Sequence, residues 1–441
     1  MIDMRYFEGE IVDSKGTAVM GTRFVCVVLF CLLLGGCDKL VNVDAPDRLP
    51  ADDFETPENA ETLVEGAIAD FECALSHYVV AGGLMGNELA ETSQTVHLID
   101  YDRRTFNSQY YGGATCDNIF TQNNLGQAVG VYAPLSIARW QADNALELLQ
   151  GWSDQEVEDR RALIATTAAY SGYSHVLLGE SMCSVAFDEG SEVSREEVFN
   201  RAVKRFNTAI DAVQQSGTTE ILNMARVGLA RALLNLGSLE EAGNAAQDVE
   251  EGFVKDASYS STALRRENQL FVKNIREQAV TVSPFGMFRN ASFQGESDPR
   301  VPVSNTGNLG ADGTRELWTQ EKVTAAGDPI SIASWEEAQL IIAEAEVQDN
   351  PQTAVGIINT LHDQVGLPEF SSSDPEEIMD QIIYERKAEL FLESHHLGDL
   401  LRYGLTSNPQ TGESHPGGGA YQELSCFPIP EQEVLNNPNI D

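Results

Sequence analysis

Apolar residues recur along this chain at spacings of three and four. Phe199, Ala202, Val203, Phe206, Ile210 and Val213 share one face of a helix, and Trp335, Ala338, Ile342 and Ala345 share another. Polar starts accompany such stretches. Ser153/Glu156, Ser194/Glu197, Ser238/Glu241, Ser334/Glu337 and Asp374/Glu377 each put a capping acceptor three residues before a glutamate. Thr56-Pro57 and Asp374-Pro375 add proline at the first helical position, where a missing N–H is harmless. Asn350-Pro351 opens the partner of the helix that begins at Ser334, and Gly366-Leu367-Pro368 closes that pair. No comparable series alternates with period two. The pattern predicts an all-α chain built from helical hairpins.

One stretch sharpens this. Between Arg226 and Val249 the chain reads RVGLARALLNLGSLEEAGNAAQDV. Its A-x-x-x-L, L-G and E-E-A pieces match the tetratricopeptide pattern: small residues where two helices meet, glycine at the turn, alanine facing back. Such a hairpin cannot bury its face alone, so a tetratricopeptide-like stack is expected. Long irregular insertions are expected at about 79–133 and 260–330, rich in Gly, Asn, Thr and aromatics. Loops of that length on a rigid scaffold are where binding usually resides.

The N-terminus is a different kind of segment. Phe24–Leu34 is apolar but only about half the ~20 residues a membrane-spanning helix needs. It has the length of a signal-peptide core, and Met20 makes a better start than Met1 because Asp3, Glu8, Glu10 and Asp13 spoil the first segment as a basic leader. Leu34-Gly35-Gly36-Cys37 resembles the bacterial lipobox. That resemblance implies cleavage before Cys37 and lipidation of its thiol, an anchor without a spanning helix. The expected division is residues 1–36 as signal peptide, 37–56 as a lipidated tether and 57–441 as the folded part. Asp38 is an inner-membrane retention signal in some bacteria, so the leaflet stays open.

Charge and cysteines narrow the partners. The 441 residues carry 68 acidic against 28 basic side chains, a net charge of −40. Such a surface repels phosphate, which disfavours nucleic acid and anionic lipid headgroups. Of seven cysteines, Cys26 and Cys31 leave with the signal and Cys37 takes the lipid. Cys73, Cys116, Cys183 and Cys426 remain, enough for two disulfides in three possible connectivities in an oxidising compartment. No C-x-x-C spacing occurs.

The most specific text is IIYERKAELFLESHHLGDLLRYGL, Ile382 to Leu405. It resembles the hallmark of the RagB/SusD family of nutrient-binding lipoproteins, through Glu385, Arg386, Glu389, Leu390, Glu393, Asp399, Leu400 and Arg402. Ser394, His396 and Tyr403 stand where the family has glycine, arginine and tryptophan. CFPIPEQEVLNNPNI is similar to the family's terminal motif, and SDPRVPV, IIAEAEV and Asn144 to earlier ones. The resemblance implies a SusD-like fold on a surface-exposed, lipid-anchored outer-membrane protein. It would bind nutrient, a glycan or another oligomer such as a peptide, as lid of a TonB-dependent SusC-type β-barrel, without catalysis or cofactor. The alternative is a tetratricopeptide-type envelope scaffold lipoprotein that takes up no nutrient. A third reading is a secreted hydrolase.

Candidate chemistry follows from placement. Glu385, Glu389 and Glu393 lie one turn apart, a charged ridge expected to pair with Arg386 or Arg402 as structure rather than as an acid–base pair. His395 and His396 point about 100° apart on a helix, so with Asp399 they make a poor metal site. No catalytic or phosphate-binding motif occurs. Tyr101, Phe106, Tyr110, Tyr111 and Trp318 stand among polar residues in the insertions, where exposed rings could stack on sugars. Arg103 and Arg104 are the place where a local basic patch could form.

Overall fold

The structure, a computed structural model, describes residues 54–106, 110–116, 128–216, 218–406 and 408–440; the signal segment, Cys37 and nearly all of the tether lie outside them. Helices dominate. In chain order they are α1 (Ala60–Met85), α2 (Val96–Arg103), α3 (Tyr110–Gly113), α4 (Tyr132–Gly151), α5 (Arg160–Ser181), α6 (Arg195–Ser216) and α7 (Thr219–Asn235). They continue with α8 (Leu239–Ala246), α9 (Gln269–Phe271), α10 (Trp335–Glu346), α11 (Pro351–Val365), α12 (Pro375–Glu389), α13 (His396–Tyr403) and α14 (Glu431–Asn436). Among the described residues no helix is long and apolar enough to cross a membrane.

The long helices stack in sequence order: α4 on α1, α5 on α4, α6 on α5, α7 on α6, α8 on α7, then α10, α11 and α12. This is the tetratricopeptide-like array that the apolar spacing predicts. The α7–α8 hairpin turns at Gly237, whose φ of +76° favours a residue without Cβ. Helix α13 comes back onto α1 and α5, so the last part of the chain packs on the first.

Small residues set how closely the helices approach. The Phe206 ring of α6 fills a notch between α5 and α7, where a Cβ at Gly172 would lie 2.6 Å from it and one at Gly228 only 2.3 Å. Gly228→Ala gains about 1 kcal/mol of helix propensity but overpacks the core by roughly 1–3 kcal/mol. The net expectation is a lower urea midpoint, restored when Phe206→Leu is added. An unchanged midpoint for the single variant would show that the ring swings aside.

Capping follows the sequence in part. Ser334 Oγ accepts from Glu337 N at 3.1 Å and Ser194 Oγ from Glu197 N at 3.3 Å. Asp374 caps Glu376 N rather than Glu377 N, at 3.0 Å. Ser153 and Glu156 hydrogen-bond to each other in a turn, and the helix starts only at Arg160. Ser238 stands at the helix start without a side-chain bond.

The described parts of the insertions hold more regular structure than expected. Residues from Val79 to Met85 continue α1, so the first irregular stretch begins at Gly86. Among the described residues five antiparallel two-stranded pairs occur, four of them with at least one strand in the second insertion or at its edges. Among these, β1 (Leu89–Glu91) pairs with β5 (Val280–Val282), aligning Leu89 with Val282. Strands β2 (Ser184–Ala186) and β3 (Glu192–Ser194) make a hairpin outside the insertions. Strands β4 (Val254–Ala257) and β10 (Ile330–Ser334) close the second insertion, which also holds β6 (Ser292–Phe293) with β7 (Glu296–Ser297) and β8 (Val303–Leu309) with β9 (Glu316–Gln320).

Candidate functional site

Helix α12 carries two faces of different character. Ile378, Ile382, Glu385 and Arg386 point into the protein, whereas Asp380, Ile383, Tyr384 and Lys387 fall at i, i+3, i+4 and i+7 and line a cavity of about 470 Å³. The opposite wall is the Phe285–Phe288 loop that follows β5. Pairing of β1 with β5 sets this loop beside Asn87, the residue just beyond α1; Ser283 N donates to Glu88 O at 2.9 Å. His396 and Leu400 of α13 form the floor, and Leu405, Thr406 and Asn408 the remaining side. Leu400, Leu405 and Thr406 are shared with a second depression of about 730 Å³ that runs towards Glu423 and Leu424.

The lining mixes rings with polar groups. Phe285 and Tyr384 are half-buried, while Phe288 is buried, stacked on Phe391 at 5.1 Å with His396 edge-on at 5.2 Å. Asn87 sits at φ +64°, a left-handed position that asparagine tolerates. Its Oδ1 accepts from Arg104 Nη2 at 2.6 Å. Burial pulls the Lys387 ammonium below its ordinary value, against the nearby Asp399 carboxylate. It also pulls the His396 ring down to about 4, so His396 is neutral at pH 7.

Beneath this wall lies a lattice of ions. Arg300, from the S-D-P-R text, bonds Asp298 at 2.7 Å, Glu385 at 2.5 Å and Glu389 at 3.3 Å. His362 Nε2 lies 2.8 Å from Glu385, and the Tyr384 hydroxyl donates to Asp298 at 3.0 Å. Arg386 pairs with Asp399 at 2.8 Å, and Arg402 with Asp399 at 2.9 Å and with Glu344. Burial alone would raise the Asp399 carboxyl, but Arg386 and Arg402 outweigh it and hold the group well below the carboxylate range. Pairing of the glutamate ridge with Arg386 or Arg402 is therefore corrected. Arg300 takes Glu385 and Glu389, Lys322 takes Glu393 at 2.5 Å, and the helix's own arginine turns to α13. Arg300 is distant in sequence, so helical spacing could not find it; the D-P-R text was the available signal.

The sequence-predicted rings go mostly elsewhere. Tyr101 is 1% exposed and its hydroxyl donates to Val129 O at 2.6 Å. Tyr111 is also buried, stacked on Phe427 at 6.2 Å, and Phe106 meets Phe427 edge-on at 5.6 Å. Buried rings offer no face to a ligand; Tyr101 and Tyr111, together with half-buried Phe106, clamp the C-terminal segment. The side chain of Tyr110 lies outside the described residues. Trp318, on β9, is half-buried with the Arg289 guanidinium 5.1 Å over its ring. No basic patch forms at Arg103 and Arg104: Arg103 pairs with Asp100 at 3.1 Å, and buried Arg104 donates to Pro409 O and Gln422 O. Nothing in the sequence singles out Phe285, Tyr384 and Lys387 as cavity residues, because only tertiary packing gathers them.

Disulfides join Cys73 to Cys116 and Cys183 to Cys426. Cys73, His77 and Cys116 put their donor atoms within 4.8 Å of one another, but the two sulfurs are bonded together and supply no thiolate. His395 Nε2 turns to Glu337 at 3.0 Å, away from His396.

A family model described as the SusD family matches residues 337–441. No curated protein matches the chain. Among solved structures, a SusD superfamily protein from Bacteroides vulgatus is similar with a TM-score of 0.65 at 16% identity, over 88% of this chain and 98% of the other. A SusD-like carbohydrate binding protein from the same species gives 0.64 at 15%, over 87% and 97%. A laminarin binding SusD-like protein gives 0.62 at 15%, over 86% and 98%. Identities this low speak for the fold, while the family model speaks for the stretch from α10 to the C-terminus. On these two grounds together, the chain has a SusD-like fold, and its residues 337–441 match the SusD family model.

Proposed function

We propose that this protein is a non-catalytic, lipid-anchored binding subunit that holds an oligosaccharide in the cavity between α12 and the Phe285–Phe288 loop. It would act as lid of a TonB-dependent, SusC-type outer-membrane barrel, facing outward and anchored through Cys37. The observation that carries this reading is the cavity itself: half-buried rings beside amide and hydroxyl groups, open to solvent on a rigid helical wall. Sugar rings present apolar faces for stacking and hydroxyls for directional hydrogen bonds, and such a lining meets both. The match of residues 337–441 to the SusD family model and the similar structures described as carbohydrate binding and laminarin binding support the same class of ligand. Trp318, Phe106 and Tyr110 remain outer candidates; the buried Tyr101 and Tyr111 hold the C-terminal segment through Phe427.

Two measurements test it. Native lipoprotein extracted from membranes is expected to bring a β-barrel with it and to carry acyl chains on Cys37 by mass spectrometry. Calorimetric titration of the full mature chain with oligosaccharides is expected to show binding that Phe285→Ala weakens about tenfold. Absence of both barrel and binding favours the scaffold reading instead. A hydrolase reading draws on Glu389: burial raises its carboxyl to about 7, and it lines a separate cleft of about 310 Å³ with Glu336 and Glu393. Release of reducing ends by the purified chain, abolished in Glu389→Gln, would install that reading.

A further inference from the structure

Two hydrogen-bond donors at the cavity have no acceptor. The first is Asn87. Arg104 has donors only, so the amide atom 2.6 Å from it must be oxygen, and Nδ2 is left over. That Nδ2 is buried without a partner among the described residues, an expensive arrangement unless something arrives to accept.

The second donor is Lys387. It is half-buried on the α12 wall and has no ion-pair or hydrogen-bond partner among the described residues. The carboxylate that acts on it electrostatically, Asp399, is already bonded to both Arg386 and Arg402. Asp380 is two turns away on the same stripe and exposed to solvent at the rim. In a chain with 68 acidic against 28 basic side chains, carboxylate partners are abundant. A lysine left without one in a ring-lined cavity marks a place for an anion from outside.

We infer that the cavity takes an acidic sugar, a ring bearing a carboxylate or a sulfate ester, whose anionic oxygens accept from Lys387 Nζ with Asn87 Nδ2 as second donor. This rests on the saccharide-binding reading and narrows it to one ligand class. The overall negative charge does not forbid it. At physiological salt the Debye length is about 8 Å, so distant surface carboxylates are screened while a contact inside the cavity is not. Arginine and lysine elsewhere in this wall are consumed by the ion lattice, which leaves Lys387 as the cation for the ligand.

The test is calorimetric titration of the full mature chain with three probes of equal length: an oligogalacturonate, a sulfated galactan oligosaccharide and a neutral galactan oligosaccharide. At least one acidic probe is expected to bind tenfold or more tightly than the neutral one, with the preference shrinking as salt is raised. Which acidic probe wins identifies the anion. Lys387→Met is expected to abolish the preference and Lys387→Arg to keep most of it, both with unchanged urea midpoints. Equal affinity for acidic and neutral probes, or a preference that survives Lys387→Met, overturns the acidic class while leaving saccharide binding intact. Binding of none of the three, or of a glutamate-rich peptide instead, removes the saccharide reading and this inference with it.

Discussion

Replacing Arg300 by methionine is expected to cost about 3–5 kcal/mol of unfolding free energy, the usual penalty when one partner of a buried ion pair is removed. Arg300 sits between Asp298 and Glu385, whose side chains are fully buried, and also reaches Glu389. Methionine fills the volume but leaves those carboxylates without their cation. Glu385 keeps His362 and Gln381, and Asp298 keeps the Tyr384 hydroxyl, which accounts for a few rather than tens of kcal/mol. The sign of the pH effect follows. Burial raises the Asp298 carboxyl, and Arg300 more than reverses this, so the native group lies below its ordinary value. Its contribution is present above the unfolded carboxylate pKa near 4 and is lost as pH falls through the lower native one. Without Arg300 the carboxyls rise and can be protonated, so the variant is expected to lose less at pH 5 than at pH 8. Urea titrations at the two pH values measure this; an equal loss at both would mean that the lattice stabilises by shape and not by charge. Because Tyr384 lines the cavity, the same variant is also expected to weaken ligand binding.

The double variant Cys183→Ala/Cys426→Ala is expected to lose about 2–5 kcal/mol. This bridge spans 243 residues, against 43 for Cys73–Cys116. Loop-closure entropy makes the longer bridge worth roughly 1.5 kcal/mol more, since the term grows as (3/2)RT ln n. It also bolts the C-terminal segment to the end of α5. Phe427 N donates to Ser181 O and Cys183 N to Phe427 O, each at 2.8 Å, and Phe427 is fully buried under Tyr101, Phe106 and Tyr111. Urea midpoints for the two paired variants should therefore differ, with the longer bridge the larger loss. Limited proteolysis is expected to release the segment after Tyr421 in its absence. Equal midpoints would show that native contacts, and not the unfolded chain, set the value of both bridges.

Local physics made the helices legible. Phe199 to Val213, and Trp335 to Ala345, need no distant partner to show their faces, because a helix repeats every 3.6 residues wherever it packs. Gly237 and Gly366 stop their helices for backbone reasons written in the residue itself. The resemblance to the SusD family could also be read directly, since the matching motifs fall in contiguous text around α12 and the C-terminus. Ion partners were a different matter. Glu385 has arginines within one and a few turns, yet it bonds Arg300 from 85 positions away, because helix α12 turns its ridge towards the second insertion.

The aromatic residues show the same limit from the other side. YDRRTFNSQYY reads as a polar loop studded with rings, but the sequence carries no term for Phe427, which arrives from the far end of the chain and draws those rings inward. What the amino-acid order determined alone was periodicity, part of the capping, acidity and the contiguous motifs that resemble the SusD family, all of which depend on neighbours within a few turns. Tertiary structure decided which carboxylate meets which guanidinium, which rings are buried, and that Asn87, Phe285 and Lys387 surround one space. Those outcomes depend on contacts between segments hundreds of residues apart, whose pairing is fixed only when the helices stack and exclude water.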